Sequence, residues 1–280
     1  MNRRTAFFTT IYPMNKEYLF GFFSSLRKQT YRYFDVIVVN DRYENFEELE
    51  NEFSSLNIVE LAYSGTPAEN REYGVNYILE HDYDILIFGD SDDYFDTDRV
   101  QVSVDMLNGF DIVVNDITLF DKNGISCQKY ISNRVGNNTT IDLDFIKEKN
   151  IFGMTNTAVR VNTLRNITFD ESLLAVDWYL FSILLSKKYK AIFTNDTETF
   201  YRQYTDNTIG LGDITEASIL KGIAVKFKHY ELMQEENIQY KSLFVEICEL
   251  KKKIENRKYV EKLKKQNIQN PFWWEWIRDI

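Results

Sequence analysis

Four hydrophobic runs, RTAFFTT, DVIVVND, NIVELA and DILIFGD, punctuate the first 90 residues, and helix-patterned segments separate them. Each run is short, rich in β-branched or aromatic residues and bounded by polar ones, which is the pattern of a buried strand. Between the first two, Leu19, Phe22, Phe23 and Leu26 recur at helical spacing and predict a helix over Asn15 to Lys28 with one apolar face. A second helix carries Phe46, Leu49, Phe53 and Leu56 at the same period. The third opens on TPAE: Thr66 caps, Pro67 takes the first helical position and Glu69 reaches back to close a capping box. Strands separated by helices of roughly 10–15 residues make βαβ units, hence an α/β fold with a mainly parallel sheet flanked by helices. Ligands of such sheets bind beyond the carboxyl ends of the strands. Asp41 and Asp90 both fall there.

The chain has 280 residues, 44% hydrophobic and 27% charged, enough for one large α/β domain with an appendage or for two small domains. A formal charge of -10 argues against nucleic acid as a partner, because phosphate contacts require a basic face. Cys127, Cys248, His81 and His229 share no metal-ligand spacing, so a zinc site is not expected. The N-terminus has no signal-peptide pattern, and nowhere do about 18 apolar residues run together. The expected location is the cytoplasm, with any membrane contact peripheral at its inner face.

Past residue 110 the alternation loosens. DIVVNDITLFDKNG predicts a strand entering a hairpin that turns at Lys122-Asn123-Gly124. MTNTAVRV and KAIFTNDTETFYRQY have strand character, and a helix starts near Val176. From about Thr215 the chain is strongly helical, with Phe244, Ile247, Leu250 and Ile254 marking a buried face. Residues 241–266 hold nine Lys or Arg against four Glu, and Trp273, Trp274 and Trp276 follow. Helices packed on the preceding domain, a peripheral membrane contact and a homo-oligomer contact all fit residues 241–280.

The chemistry concentrates in FGDSDDYF. Asp90, Asp92 and Asp93 occupy three of four positions directly after the fourth hydrophobic run. Like charges about 4 Å apart repel by roughly 4 kcal/mol at an effective dielectric near 20. One reading is a solvated acidic turn, with Asp93 or Asp96 capping the next helix. The other is an oxygen-rich site for Mg²⁺ or Mn²⁺, an ion that binds one or two carboxylates together with substrate phosphates. Asp41 is either a turn residue or an acceptor for a base or ribose, and Tyr12 either packs or stacks on a planar base.

These segments together resemble the family-2 glycosyltransferases with the GT-A fold. FFTTIYPMNKEYLFGFFSSLRKQTYRYFDVIVVND resembles the family's opening, GTPAENREYG its Gly-to-Gly helix segment, and ILIFGDSDDYF its acidic stretch. ITFDESLLAVDWYLFSILL and FYRQY resemble two later segments, so the resemblance runs collinearly from residue 5 to about 210. It implies a GT-A catalytic domain over 1–212, with a nucleotide-binding half to residue 120 and an acceptor half after it, and a helical extension over 213–280.

The implied activity is metal-assisted, inverting transfer of a sugar from a nucleotide-sugar, a UDP-sugar foremost, to a glycan, lipid-linked or protein acceptor. By the same resemblance Thr10, Tyr12 and Asp41 hold the nucleobase, Arg71 lies near base or diphosphate, and Asp90 faces the ribose. Asp92 binds Mn²⁺ or Mg²⁺, Asp93 neighbours it, Asp177 is the catalytic base and Arg202 belongs to a segment that folds over the donor. Three departures stand out: Asn40 and Arg42 flank Asp41, Ala175-Val176 replaces an acid before Asp177, and Tyr204 stands where His is usual. A nucleotidyltransferase and a catalytically inactive binding or assembly subunit are the alternative readings. The first lacks a glycine- and lysine-rich phosphate loop in FFTTIYPMNKEY.

Overall fold

The computed structural model of the chain describes residues 3–203, 215–266 and 268–280. They form two compact units. The first takes the described residues up to 141, with 152–171 and 189–203; the second takes 142–151, 172–188 and the described residues beyond 204. The stretches 142–151 and 172–188, counted in the catalytic part on a linear division, thus group with the C-terminal helices. The linear boundary at 212/213 and Tyr204 lie outside the described residues.

The first unit contains strands β1 (Thr5–Ile11), β2 (Phe34–Asn40), β3 (Asn57–Ala62), β4 (Ile85–Phe88), β5 (Tyr94–Phe95), β6 (Ile112–Asp121), β7 (Gly124–Cys127), β8 (Thr139–Ile141), β9 (Thr157–Arg160) and β10 (Ala191–Arg202). Helices α1 (Lys16–Arg27), α2 (Phe46–Glu52), α3 (Pro67–Glu80) and α4 (Arg99–Met106) accompany them. The sheet runs β3-β2-β1-β4-β9-β6-β10-β5, with β7 on β6 and β8 on β10. The expected parallel pairing holds across β3, β2, β1 and β4, and again between β6 and β10. Strand β9 enters antiparallel between β4 and β6, and β5, β7 and β8 also pair antiparallel. The second half of the sheet is therefore mixed.

Local chemistry explains the well-defined elements. The Thr66–Glu69 capping box forms on both sides, and Pro67 sits in the first turn of α3. Helix α3 lies flat on the sheet because Gly74 carries no side chain: a Cβ there would stand 2.2 Å from the Phe8 ring. The apolar face read for α1 is buried at Leu19, Phe22, Phe23 and Leu26, against Phe7, Phe34 and Phe53 among others. The hairpin after β6 turns on Gly124, whose φ of +114° suits a residue without Cβ. Helix α2 is shorter than its period predicted. It ends at Glu52, because β3 begins at Asn57 and the chain must turn between them; Leu56 lies in that turn.

The second unit contains α5 (Leu143–Ile146), α6 (Val176–Ser186), α7 (Glu216–Glu236), α8 (Tyr240–Lys253) and α9 (Arg257–Leu263). Trp178 is fully buried, donates from its indole nitrogen to the Ile146 carbonyl at 2.7 Å, and stacks on His229 with ring centroids 3.8 Å apart. Helix α8 buries Ile247 and Leu250 as its periodicity predicted, and Phe244 packs on Phe227. Phe272, Trp274 and Ile277 are buried, while Trp273 and Trp276 are half-buried. Among the described residues no helix is long and apolar enough to cross a membrane.

Candidate active site

Strands β2 and β3 lie on one side of β1 and β4 on the other, so the order of travel reverses between β1 and β4. A crevice opens at such a switch point, beyond the carboxyl ends of the strands. The chain brings three groups of predicted residues to this edge of the first unit: Thr10 in β1 with Tyr12 just after it, Asp41 after β2, and Asp90 to Asp93 after β4.

Thr10 is the last residue but one of β1, and its carbonyl accepts from the Ser91 hydroxyl at 2.8 Å, which ties that strand end to the acidic loop. Tyr12 stands just beyond, 47% exposed. At the end of β2, Asp41 accepts from Ser64 Oγ at 2.8 Å and from Asn70 Nδ2 at 3.1 Å. Two neutral donors orient the carboxylate. Asn40, a departure from the family pattern, builds the turn: its side-chain oxygen accepts from Tyr43 N at 2.8 Å and its amide nitrogen donates to Tyr43 O. Arg42 takes a φ of 65° in that turn, and its Nε lies 3.6 Å from Asp41.

The acidic loop separates its three carboxyls by environment. Asp90 lies 3.7 Å from Arg71, which α3 supplies. Burial pushes the Asp90 carboxyl up to about 6, with Arg71 pulling it back and Asp92 adding to the rise. Its side chain keeps 35% of its surface open, so the group is packed but not sealed. Asp92 is half-buried. Asp93 turns inward and is 1% exposed; it accepts from Thr155 Oγ1 at 2.5 Å and from the Arg202 backbone N–H at 2.7 Å. Burial, reinforced by Asp92 and Asp90, raises its carboxyl well above the usual range. Asp93 is thus an internal strut of the loop.

The acidic turn does not cap α4, contrary to one of the two readings above. The cap position is Asp98, without a side-chain cap bond, and Asp96 accepts from the adjacent Thr97 N–H. Arg202 closes the loop from β10. Its Nε donates to the Asp92 carbonyl at 2.8 Å, and its guanidinium lies 4.2 Å over the Tyr18 ring and 4.5 Å over Phe120.

Sequence reasoning missed Ser64, Asn70, Thr155 and, above all, Arg99. Arg99 is fully buried; it donates to the Phe88 carbonyl at 2.6 Å and to Asn115 Oδ1 at 3.1 Å, and lies 4.4 Å over Phe95. Burial lowers its guanidinium to about 9, while Asp93 and Asp90 oppose that fall. It is a buried cation close to the acidic loop. Asn70 could have been suspected as the neighbour of Arg71, but Arg99 sits at an ordinary helix start and carries no local signal.

Asp177 belongs to the second unit. It stands in the first turn of α6, which caps on Ala175, and accepts from Trp178 N at 2.8 Å and from Asn150 Nδ2 at 3.4 Å.

Among the described residues no three His, Cys, Asp or Glu side chains gather as a metal cage. Asp90 and Asp92 offer hard carboxylate oxygens, and Mg²⁺-type ions complete such a shell with water and substrate phosphate. The donor set fits an ion shared with a diphosphate.

A parallel α/β half with its acidic loop at the switch point, continued by a mixed sheet, defines the GT-A class of fold. A family profile described as glycosyl transferase family 2 matches residues 10–168, more than half of the chain. The chain belongs to that family. No curated protein sequence matches it. Solved structures agree in fold. Residues 1–349 of S. aureus TarS in complex with UDP-GlcNAc align with TM-score 0.59 and 16% identity, over 94% of this chain and 76% of that one. Mannosyltransferase PcManGT from Pyrobaculum calidifontis, in complex with GDP-Man and Mn²⁺, aligns with TM-score 0.61 and 16% identity, over 85% and 66%. The longer S. aureus TarS chain aligns with TM-score 0.55 and 19% identity, over 81% of this chain but only 43% of its own length.

Proposed function

We propose that the protein transfers a sugar from a nucleotide-sugar donor, a UDP-sugar foremost, to an acceptor hydroxyl with inversion at the anomeric carbon. The reading is carried by one observation: Asp41 with its two donors, and Arg71 with Asp90 and Asp92, flank the end of β1 in a single unit. That spacing suits a nucleotide laid across the switch point. Asp41 accepts an N–H of the base, Tyr12 stacks on its face and Thr10 lines its edge. Asp90 accepts from the ribose hydroxyls, and Arg71 holds the diphosphate side. Asp92, with Asp90 beside it, would hold Mn²⁺ or Mg²⁺; such an ion supplies Lewis-acid stabilisation of charge on a departing diphosphate. Asp177 takes the proton of the attacking acceptor hydroxyl, an assignment that rests on its match to the family's base position. The UDP-GlcNAc, UDP and GDP-Man complexes of the structural neighbours support a nucleotide-sugar as donor.

Calorimetry against UDP, GDP, CMP and dTDP, each with Mn²⁺, tests the donor site, and a panel of the corresponding sugars tests turnover. The expected result is metal-dependent binding of UDP and release of UDP on transfer. Tight binding with no turnover across the panel would leave a binding subunit, and pyrophosphate release would mark a nucleotidyltransferase. Retained turnover in Asp177→Asn removes that residue as base.

A further inference from the structure

The tryptophan-rich C-terminus lies beyond the family match, which ends at residue 168. Its contacts within the second unit lead to the carboxylate of Asp177. The Asn150 backbone N–H donates to the Trp273 carbonyl at 3.0 Å in an isolated antiparallel bridge. Beside it Lys149 lies 3.8 Å from Glu275 and 4.3 Å over the Phe145 ring, while Phe145 packs on Phe272. The tail is anchored at its far end by Lys226, buried on α7, which donates to the Ile277 carbonyl at 2.7 Å. Gly222, one turn earlier, leaves room for Ile277: a Cβ there would stand 2.6 Å from Ile277 Cγ1.

Asn150, only 3% exposed, thus has its backbone fixed by the tail while its side-chain nitrogen reaches Asp177 Oδ2. The next residue along α6, Trp178, is held by the Ile146 carbonyl and by the face of His229. The carboxylate is therefore met by Asn150, whose backbone the tail holds, and the helix turn that carries it by Ile146 and His229.

We infer that the C-terminal tail is a strap that positions the Asp177 carboxylate through Asn150, making Asn150 a positioning residue for sugar transfer. The inference rests on the proposed role of Asp177. Misplacement of a catalytic group by about 1 Å costs on the order of 10²-fold in rate. The Asn150 contact is at the long end of hydrogen bonding, so its loss costs less, about tenfold in kcat.

The test uses the full chain and two variants. Gly222→Ala pushes Ile277 off α7 without touching Asn150 or Asp177, and Asn150→Ala removes the side-chain donor while keeping the backbone bridge. Hydrogen exchange needs no activity: in Gly222→Ala, amides in 145–151 and 175–180 exchange about tenfold faster, and those in 85–95 do not change. Unchanged exchange in both tail-side segments overturns the strap. In kinetics each variant loses about tenfold in kcat with donor KM within twofold, and the double variant is no worse than the poorer single. Losses that multiply in the double variant overturn the route through Asn150. If Gly222→Ala does not fold, Glu275→Gln replaces it, since it removes the charge opposite Lys149 and keeps the acceptor for Phe272 N. A wild type without transfer from any donor defeats the functional reading, while the exchange arm still decides the strap.

Discussion

Replacing Arg99 with methionine tests whether the acidic loop depends on a buried cation. Methionine keeps the length and apolar stem of the side chain, so packing between Phe7 and Phe95 is largely preserved. What disappears is the charge and two hydrogen bonds, to the Phe88 carbonyl and Asn115 Oδ1. Hydrogen bonds from a charged donor contribute about 1.5–3 kcal/mol each. Part of that is offset, since burial already lowers this guanidinium to about 9, a measure of what its desolvation costs. The variant also removes a nearby buried cation from Asp90 and Asp93, and because no direct ion pair is broken this adds only about 1–2 kcal/mol, less than the loss of one partner of a buried pair. For a chain of this size the melting temperature falls by roughly 10 °C. Adding Asp93→Asn removes the abandoned carboxyl and recovers about 1–2 kcal/mol, a coupling read from a double-mutant cycle by thermal and urea unfolding. A melting temperature within about 2 °C of wild type, or strict additivity in the cycle, would refute the buried-cation argument.

Four further outcomes follow from the same geometry. Asp92→Ala loses at least about tenfold in Mn²⁺-dependent nucleotide affinity by calorimetry, and unchanged affinity removes Asp92 from the ion site. The Asp90 carboxyl, raised by burial to about 6 from 3.8, protonates as pH falls through about 6, and metal-dependent nucleotide affinity falls with it, up to about tenfold per unit. A raised carboxyl contributes stability that is present below pH 3.8 and is lost as pH rises through about 6. Asp90→Asn therefore gains melting temperature relative to wild type over that window, and a difference that is flat with pH contradicts it. Gly74→Ala drives a methyl to 2.2 Å from the Phe8 ring and lowers stability by about 1–3 kcal/mol, whereas Gly109→Ala, with open space around it, does not.

Much of the first unit is legible locally because its signals are local. The Thr66–Pro67–Glu69 start of α3, the apolar face of α1 and the β-branched runs each act within a few residues, and the structure forms them at those places. Helix α2 shows the limit: its apolar period continues to Leu56, but the tether to β3 ends it at Glu52. The antiparallel entry of β9 between β4 and β6 is likewise a decision about partners far apart in the chain, and strand composition does not encode partner or direction.

The candidate site divides in the same way. The sequence alone determined that Asp41 and the Asp90–Asp93 cluster end hydrophobic strands, since that needs only pattern and order, and collinear motifs carried the family. Tertiary structure decided what each carboxyl does. Asp93 became a strut because Thr155 and the Arg202 backbone, 62 and 109 residues away, close on it. Asp90 stayed partly open beside Arg71, and Arg99 became a buried cation through contacts with Phe88 and Asn115. A carboxyl's charge state depends on desolvation and on neighbours across the fold, and neither is written in the residues beside it.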